Sequence, residues 1–503
     1  MKILNSLVRF AFSFRAKKIH YFMQHPHEVQ EQWLQHLISR AKNTQWGQEF
    51  GFQSIKTHKD FQKQLPLSDY ETLKPYIRQM MLGQKDVLWP GQTKWFSKSS
   101  GTTNDKSKYL PVSMENLKTC HLQGSHDALA LWYHSQPQTQ VMSNAKSLIM
   151  GGSLERFAEF PESQIGDISA IMLLNMPFYG KYFYTPSMET ALMKDWEQKI
   201  ELMAHEICRE NLTTIGGVPT WTIVLFRKLL EVTGKSNILE IFPNFEVYMH
   251  GGVSFEPYRQ QFKAFLPSEK VQYRENYNAS EGYFASQYDG QNKDMLLLLD
   301  NGVYYEFMPL SELGSAQPIV LSLAEVELDQ DYALLISSNA GLWRYQIGDT
   351  IRFTSLAPYR IQISGRTKHF INVFGEEVMV QNTDKALAIC CEKWGARISE
   401  YTVGPIFLEE GKGGHEWWIE FEQQPKNLAA FAQDLDQTLQ SLNSDYEAKR
   451  YRNLALQPLK LHTLAKGSFH AWLKSRGKYG GQNKVPRLSN SREYIEALAQ
   501  FEQ

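Results

Sequence analysis

Three short apolar runs in the middle of this chain each end in a pair of glycines. Residues 147–150 are closed by Gly151-Gly152, residues 213–215 by Gly216-Gly217, and residues 245–250 by Gly251-Gly252. After the second pair, Pro219 opens a helical pattern carried by Trp221, Val224, Leu225, Lys228 and Leu229. Apolar runs alternating with helical stretches predict an α/β domain with ligand contacts at strand ends. The runs are not copies of one another, so they do not mark a sequence repeat.

The flanking regions differ. Trp33, Leu34, Leu37 and Ile38 recur at helical spacing until Asn43-Thr44 and Gly47 break the pattern. Pro66-Leu67-Ser68-Asp69 predicts a turn, with Ser68 or Asp69 capping the helix that follows. From Met295 the pattern is β-rich. Residues 296–299 and 303–308 flank Asp300-Asn301-Gly302, a hairpin signal, and residues 334–337 and 350–353 continue it. Residues 383–394 then predict a helix, 417–421 a strand and 428–442 a helix, which makes a smaller α+β unit. A chain of 503 residues exceeds one ordinary core. The expected division is an N-terminal domain over residues 1–365, a hinge at 366–369 and a C-terminal domain over 370–503.

A net charge of -1 gives no basic excess that would point to nucleic acid. The four cysteines, Cys120, Cys208, Cys390 and Cys391, form no CxxC pair and no spaced cluster with histidine. That argues against a disulfide scaffold or zinc site and for a reducing compartment, read here as the cytoplasm. No stretch approaches the ~18–20 apolar residues that span a bilayer. Residues 1–27 carry Lys2, Arg9, Arg15, Lys17 and Lys18 but no acid, with Phe10, Phe12 and Phe14 among them. A first helix packed on the domain is the preferred reading; a membrane-surface helix is the alternative. No small-residue cleavage site follows a proper apolar core, so a signal peptide is not expected.

Five segments hold residues suited to chemistry. Ser97-Lys98-Ser99-Ser100-Gly101-Thr102-Thr103-Asn104-Asp105-Lys106-Ser107-Lys108 lets backbone N–H groups and hydroxyls converge on phosphate oxygens, with Lys106 and Lys108 adding charge. It is not a GxxxxGK[ST] loop. In Tyr277-Asn278-Ala279-Ser280-Glu281-Gly282, Glu281 suits Mg²⁺, which takes one or two carboxylates beside phosphate oxygens, and Tyr277 suits an adenine face. In Arg344-Tyr345-Gln346-Ile347-Gly348-Asp349, the carboxylate can accept both ribose hydroxyls and Gly348 permits close backbone approach. In residues 364–372, Arg366 can reach ribose or phosphate, and Lys368 stands where the chain would pivot. In residues 480–487, Lys484 can reach into a cleft and neutralise an α-phosphate during attack. Taken singly, each segment reads at least as well as a solvated loop or an ordinary turn.

Their order carries more weight. A serine/threonine loop, then Tyr-x-x-Ser-Glu, Tyr-x-x-Gly-Asp, Gly-Arg-x-Lys and a late lysine resembles the adenylate-forming enzymes. Within that superfamily the chain most resembles the Gretchen Hagen (auxin-responsive promoter) family of acyl acid amido synthetases. The carrying residues are Ser99-Ser100-Gly101-Thr102-Thr103 with Lys106, Pro219-Thr220-Trp221, Gly251-Gly252-Val253, residues 277–282, and Gln482-Asn483-Lys484-Val485-Pro486-Arg487. Residues 61–76, with Pro66 and Tyr70, add family-like spacing.

The resemblance implies a fold: a large N-terminal domain with α/β subdomains and a β-barrel-like part, and a small mobile α+β C-terminal domain. It implies ATP and Mg²⁺. A carboxylate would attack the α-phosphorus, pyrophosphate would leave, and an amine, typically an amino acid, would take the acyl group. By motif, Ser99, Ser100, Thr102, Thr103 and Lys106 would hold phosphates. Val253, Tyr277, Asn278, Ala279 and Ser280 would line the nucleotide site. Glu281 would hold Mg²⁺, Asp349 ribose, and Arg366 ribose or phosphate. Lys368 would mark the hinge and Lys484 would assist adenylation. Plant relatives use hormone and benzoate-like acids.

Two departures stand out. Asn104-Asp105 replaces a glycine that many relatives in the wider superfamily carry, and Gln346 stands where an arginine often stands, with Arg344 close by. The acid pocket is expected to draw on residues 114–133 and 216–221, with His121, Ser125 and Trp221 as candidate lining or core residues. Two other functions fit the same motifs: an acyl-CoA ligase, and a non-catalytic nucleotide-binding protein held at a membrane through residues 1–27.

Overall fold

The computed structural model describes residues 2–100, 107–142, 145–252, 255, 259–290, 292–367, 370–371, 373–376, 378–408, 412–453, 455–475 and 487–499. The chain opens with helices Lys2–Gln24 and Pro26–Ala41. One face of the first helix is bound to the domain. Asn5 and Arg9 donate to the backbone carbonyls of Thr139 and Tyr133, and Arg15 ion-pairs with both Asp127 and Asp300. The opposite face exposes Leu7, Phe10 and Phe14. No helix among the described residues is long and apolar enough to cross a membrane.

Among its described residues the N-terminal part holds fifteen strands in chain order: Trp95–Ser100 (β1), Ser107–Val112 (β2), Lys146–Ile149 (β3), Leu154–Arg156 (β4), Gln164–Gly166 (β5), Tyr184–Thr185 (β6), Leu212–Gly217 (β7), Val247–His250 (β8), Gln272–Asn278 (β9), Tyr283–Gln287 (β10), Met295–Leu297 (β11), Val303–Pro309 (β12), Asp331–Ser338 (β13), Tyr345–Leu356 (β14) and Tyr359–Arg366 (β15). Eleven of them form one sheet in the order β12-β13-β14-β15-β11-β10-β9-β8-β7-β3-β6. The three glycine-paired runs are β3, β7 and β8, and they lie side by side and parallel, as the alternation predicts. Pro219 is the first residue of the helix Pro219–Thr233, where its missing N–H costs nothing.

From β9 onward the sheet is antiparallel. This is the β-rich stretch expected to be barrel-like. Its strand order is linear, so among the described residues it is a continuation of the large sheet and not a separate closed barrel. The predicted hairpin across Asp300-Asn301-Gly302 does not form. β11 pairs with β10 and β15, whereas β12 pairs with β13. The turn residues serve tertiary contacts instead: Asp300 meets Arg15, and Asn301 donates to the carbonyl of Tyr283 at 2.5 Å. All three residues of β11 are buried, which suits a strand paired on both sides rather than half of an isolated ribbon.

The C-terminal part adds Phe370–Ile371 (β16), Val378–Met379 (β17), Arg397–Phe407 (β18), Gly413–Gln423 (β19) and Lys460–Leu464 (β20). β18, β19 and β20 form a sheet covered by helices Val380–Trp394 and Leu428–Leu442. The apolar side chains of that helical pair, among them Ala386, Leu387, Leu435 and Leu439, belong to a core that runs on into the parallel strands.

Candidate active site

The phosphate-loop segment folds as the arms of a hairpin. β1 and β2 are antiparallel, with Ser99 opposite Lys108 and Ser100 opposite Ser107. The strands therefore extend further into the segment than composition suggests. Residues 101–106, which carry Thr102, Thr103, Asn104, Asp105 and Lys106, lie outside the described residues. Ser97, in the arm, is fully buried and its hydroxyl meets no hydrogen-bond partner among the described residues.

The segment containing Pro66 ties this hairpin to the antiparallel sheet. Ser68 N–H donates to the Arg344 carbonyl at 3.0 Å, and Gln346 N–H donates to the Ser68 carbonyl at 2.9 Å. Asp69 accepts from the Thr72 N–H and so caps the helix Tyr70–Met81. The Tyr70 hydroxyl at its start accepts from the Tyr109 N–H in β2 at 3.1 Å. One short stretch thus fixes β1 and β2 relative to β14.

β14 begins at Tyr345 and carries Gly348 and Asp349. Gly348 has φ +98°, a conformation that side-chain-bearing residues rarely adopt. Asp349 is buried, pairs in register with Arg366 of β15, and accepts a 2.6 Å hydrogen bond from the Tyr277 hydroxyl. Tyr277 lies near the end of β9. The chain then turns through residues 278–282, held by Ala279 N–H donating to the Gly282 carbonyl at 2.8 Å. Glu281 sits in that turn and is only 7% exposed. Its charge reaches the Tyr345 hydroxyl, which burial and then Glu281 push well above the usual phenol range. That hydroxyl is fully buried and meets no partner among the described residues. Tyr277, Glu281, Tyr345 and Asp349 therefore form one connected constellation, drawn from two segments separated in sequence. Val253, Lys368 and Lys484 lie outside the described residues.

Some expectations change. Arg344 does not stand in for an arginine at position 346. Its guanidinium makes a paired contact with buried Glu306, at 3.0 and 3.1 Å, and donates to the carbonyls of Gln62 and Leu65. Trp221 is buried, with Trp196 stacked on its ring at 4.3 Å and the Lys449 ammonium 4.8 Å from its centroid. His121 is buried, and burial pushes its imidazole down to about 3, so it is neutral at physiological pH. Ser125 donates back to the His121 carbonyl.

Two features escape the sequence reading. Residues 117–122 form a π-helical turn between Ser113, which caps the helical run, and the helix Gln123–Ser135. Such turns cluster at functional sites but have no residue signature. Beneath that helix, Arg274 of β9 is buried. Its signal was present: an arginine at an inward position of a strand.

Serines on the arms of β1 and β2, an acid in a strand-connecting turn and a buried aspartate on an antiparallel strand are polar groups that the described residues offer to a ligand. The sequence matches the GH3 family N-terminal domain over residues 15–271, the GH3 family central domain over 296–366 and the GH3 family C-terminal domain over 381–493. The chain belongs to the GH3 family. It is 23% identical to the indole-3-acetic acid-amido synthetase GH3.3 of Arabidopsis thaliana, across 93% of this chain and 90% of the relative. It is also 23% identical to the jasmonoyl–L-amino acid synthetase JAR4 of Nicotiana attenuata, across 92% and 90%. Among solved structures, an acyl acid amido synthetase GH3.15 in complex with 2,4-DB superposes with a TM-score of 0.63 at 16% identity, covering 97% of this chain and 96% of that one. A 2-hydroxyisobutyryl-CoA ligase with 2-HIB-AMP and CoA superposes with a TM-score of 0.60 at 11% identity, covering 95% and 92%.

Proposed function

We propose that this chain is an AMP-forming acyl acid amido synthetase. It joins a small carboxylic acid to an amine, an amino acid by preference, through an acyl-adenylate. The observation that carries the reading is the Tyr277–Asp349 hydrogen bond beside the Glu281 turn, in a chain most of whose length is matched by the three GH3 domains.

The chemistry follows from charge. The carboxylate oxygen attacks the α-phosphorus of ATP and pyrophosphate leaves. The amine then attacks the acyl carbon, and AMP leaves with the bonding pair. Negative charge grows at phosphorus, so fixed cations and donors lower the barrier. Asp349 is assigned to the ribose hydroxyls, and its hydrogen bond from Tyr277 supports the assignment. Ser99, Ser100, Thr102, Thr103 and Lys106 are assigned to the phosphates, Arg366 to ribose or phosphate, and Lys484 to the transition state.

Among the described residues no group of three His, Cys, Asp or Glu side chains is arranged to hold a metal. Buried Glu281 suits Mg²⁺, which is commonly bound by one carboxylate together with substrate phosphates. When bound, the ion would neutralise phosphate charge. The boundary between domains is placed at 366–369, so that the C-terminal part closes over the site and excludes water. The four cysteines are free, which supports a reducing, cytoplasmic setting.

Acid-dependent ATP–pyrophosphate exchange tests the first half-reaction, and product analysis with amino acids or CoA tests the second. Exchange followed by an amide product is expected. A thioester without amide would transfer the chain to the CoA ligases. Tight ATP binding without exchange over a wide acid panel would make it a binding protein.

A further inference from the structure

The first helix, Lys2–Gln24, has two faces with different surroundings. One face is held by the domain. Asn5 donates to the Thr139 carbonyl, Phe12 stacks on Tyr133 with ring centroids 5.2 Å apart, and Ile19 is buried. The opposite face carries Leu7, Phe10 and Phe14, exposed by 60%, 63% and 54%. They recur at i, i+3 and i+7 and so form one stripe. The two phenyl rings touch edge to face, 4.9 Å between centroids. Single exposed apolar side chains are ordinary, whereas a contiguous stripe marks an interaction surface.

The charge around the stripe has one sign. Residues 1–27 contain no acid, and the first carboxylate, Glu28, lies past the helix and accepts from the Tyr21 hydroxyl. Arg9 and Arg15 are engaged by the domain. Lys17 and Lys18 are exposed, and no carboxylate pairs with them among the described residues. At helical spacing they fall on either side of the stripe. The Lys17 ammonium lies 5.7 Å from the Phe14 ring centroid, so apolar stripe and positive charge are contiguous. The size of the stripe favours lipid over protein. Three partly exposed side chains offer on the order of 300–400 Å², well under the ~800 Å² that each partner contributes to a stable protein interface. A bilayer asks for less, because apolar side chains sink into the headgroup boundary while lysines meet anionic headgroups.

We propose that the exposed face of the first helix docks this protein reversibly on an anionic lipid surface, with Leu7, Phe10 and Phe14 in the headgroup boundary and Lys17 and Lys18 against the headgroups. The helix, about 35 Å long, lies in the plane of the surface, and its other face carries the domain. A short apolar stripe alone binds lipid only marginally, and the lysines supply the second signal that such anchoring needs. The docking is independent of the chemistry assigned to Glu281 and Asp349. Truncating the helix would remove the packed face as well, so substitutions on the exposed face isolate the lipid contact.

The test is co-sedimentation of the full chain with vesicles of phosphatidylcholine alone and of phosphatidylcholine mixed about 2:1 with phosphatidylglycerol. It is run on the wild type, Phe10→Ser/Phe14→Ser and Lys17→Glu/Lys18→Glu, with thermal melting and sedimentation velocity of each. The wild type is expected to bind the anionic vesicles at least ~10-fold more tightly than the neutral ones, and to lose that preference in high salt. Phe10→Ser/Phe14→Ser is expected to weaken binding to the anionic vesicles at least ~10-fold with an unchanged melting temperature. Lys17→Glu/Lys18→Glu should erase the preference for anionic lipid, also without a change in melting. No binding of the wild type to the anionic vesicles, or equal binding of the wild type and the serine variant, overturns the proposal. A lowered melting temperature in the serine variant also overturns it, because the stripe would then be packed in solution. So does a wild-type dimer that the serine variant dissolves, since a second copy would then cover the stripe.

Discussion

The Tyr277 hydroxyl donates a 2.6 Å hydrogen bond to Asp349 Oδ2 between β9 and β14, strands that stand four places apart in the sheet. In a flat sheet four strand spacings would separate them by about 19 Å. The sheet must therefore curl back on itself between β14 and β9, and a side-chain hydrogen bond, not a backbone ladder, spans the opening. That geometry is the source of the barrel-like character implied by family resemblance. It also sets Asp349 against the strand that leads into the Glu281 turn.

Tyr277→Phe removes the donor and leaves a buried carboxylate short of one partner. Hydrogen bonds to charged groups contribute about 1.5–3 kcal/mol, so this variant is expected to melt earlier. It should also raise KM for ATP about tenfold or more while leaving KM for the acid nearly unchanged, since Asp349 loses its orientation toward ribose. Unaltered KM for ATP would separate Asp349 from nucleotide binding.

Tyr345→Phe should behave differently. The Tyr345 hydroxyl is buried with no partner among the described residues, so deleting it removes an unmet polar group. The free protein is expected to be as stable as the wild type or more stable by about 1 kcal/mol. Denaturant melts without ligand give the answer directly. A clear loss of stability would mean that the hydroxyl is satisfied in solution.

The first helix offers a third case. Arg15 holds Asp127 of the helix Gln123–Ser135 and Asp300 of the turn before β12. Arg15→Met leaves a buried Asp127 uncompensated, which typically costs about 3–5 kcal/mol. Removing residues 1–24 should cost as much or more. If vesicle binding were the helix's main task, truncation would abolish co-sedimentation with anionic vesicles and spare stability.

The parallel half of the fold was legible because paired glycines punctuate β3, β7 and β8 and each run is too short for a helix. The C-terminal helix at 428–442 was readable to the residue, since its apolar face recurs at helical spacing and Asn427 caps it. The turn at Asp300-Asn301-Gly302 was legible as a turn but not as a crossing, because local propensity cannot say which strand a buried β11 will pair with. At the candidate site, the order of segments singled out Glu281 and Asp349. It could not show that Tyr277 reaches Asp349, which depends on sheet curl, or that Arg344 belongs to a buried ion pair.

That ion pair gives the last expectation. Glu306 is fully buried, between Arg344 and His58, whose Nε2 lies 3.4 Å away. Burial pushes its carboxyl up, but His58 and Arg344 outweigh burial and hold it below the usual carboxylate range. A folded-state value below the unfolded one, about 4.3 for glutamate, means the pair stabilises the fold above that pH. The contribution fades as pH falls through the lower folded value. Glu306→Gln should therefore lose stability at pH 7, leaving Arg344 buried with a neutral partner, and the deficit relative to wild type should shrink toward pH 3. Arg344→Met removes the other partner and is expected to cost about 3–5 kcal/mol at pH 7. Because Arg344 also holds the carbonyls of Gln62 and Leu65, the same substitution should loosen the Pro66 segment and raise amide exchange at Ser68. Urea melts between pH 3 and pH 7 would check the first point. A stability difference independent of pH would remove Glu306 ionisation from the account.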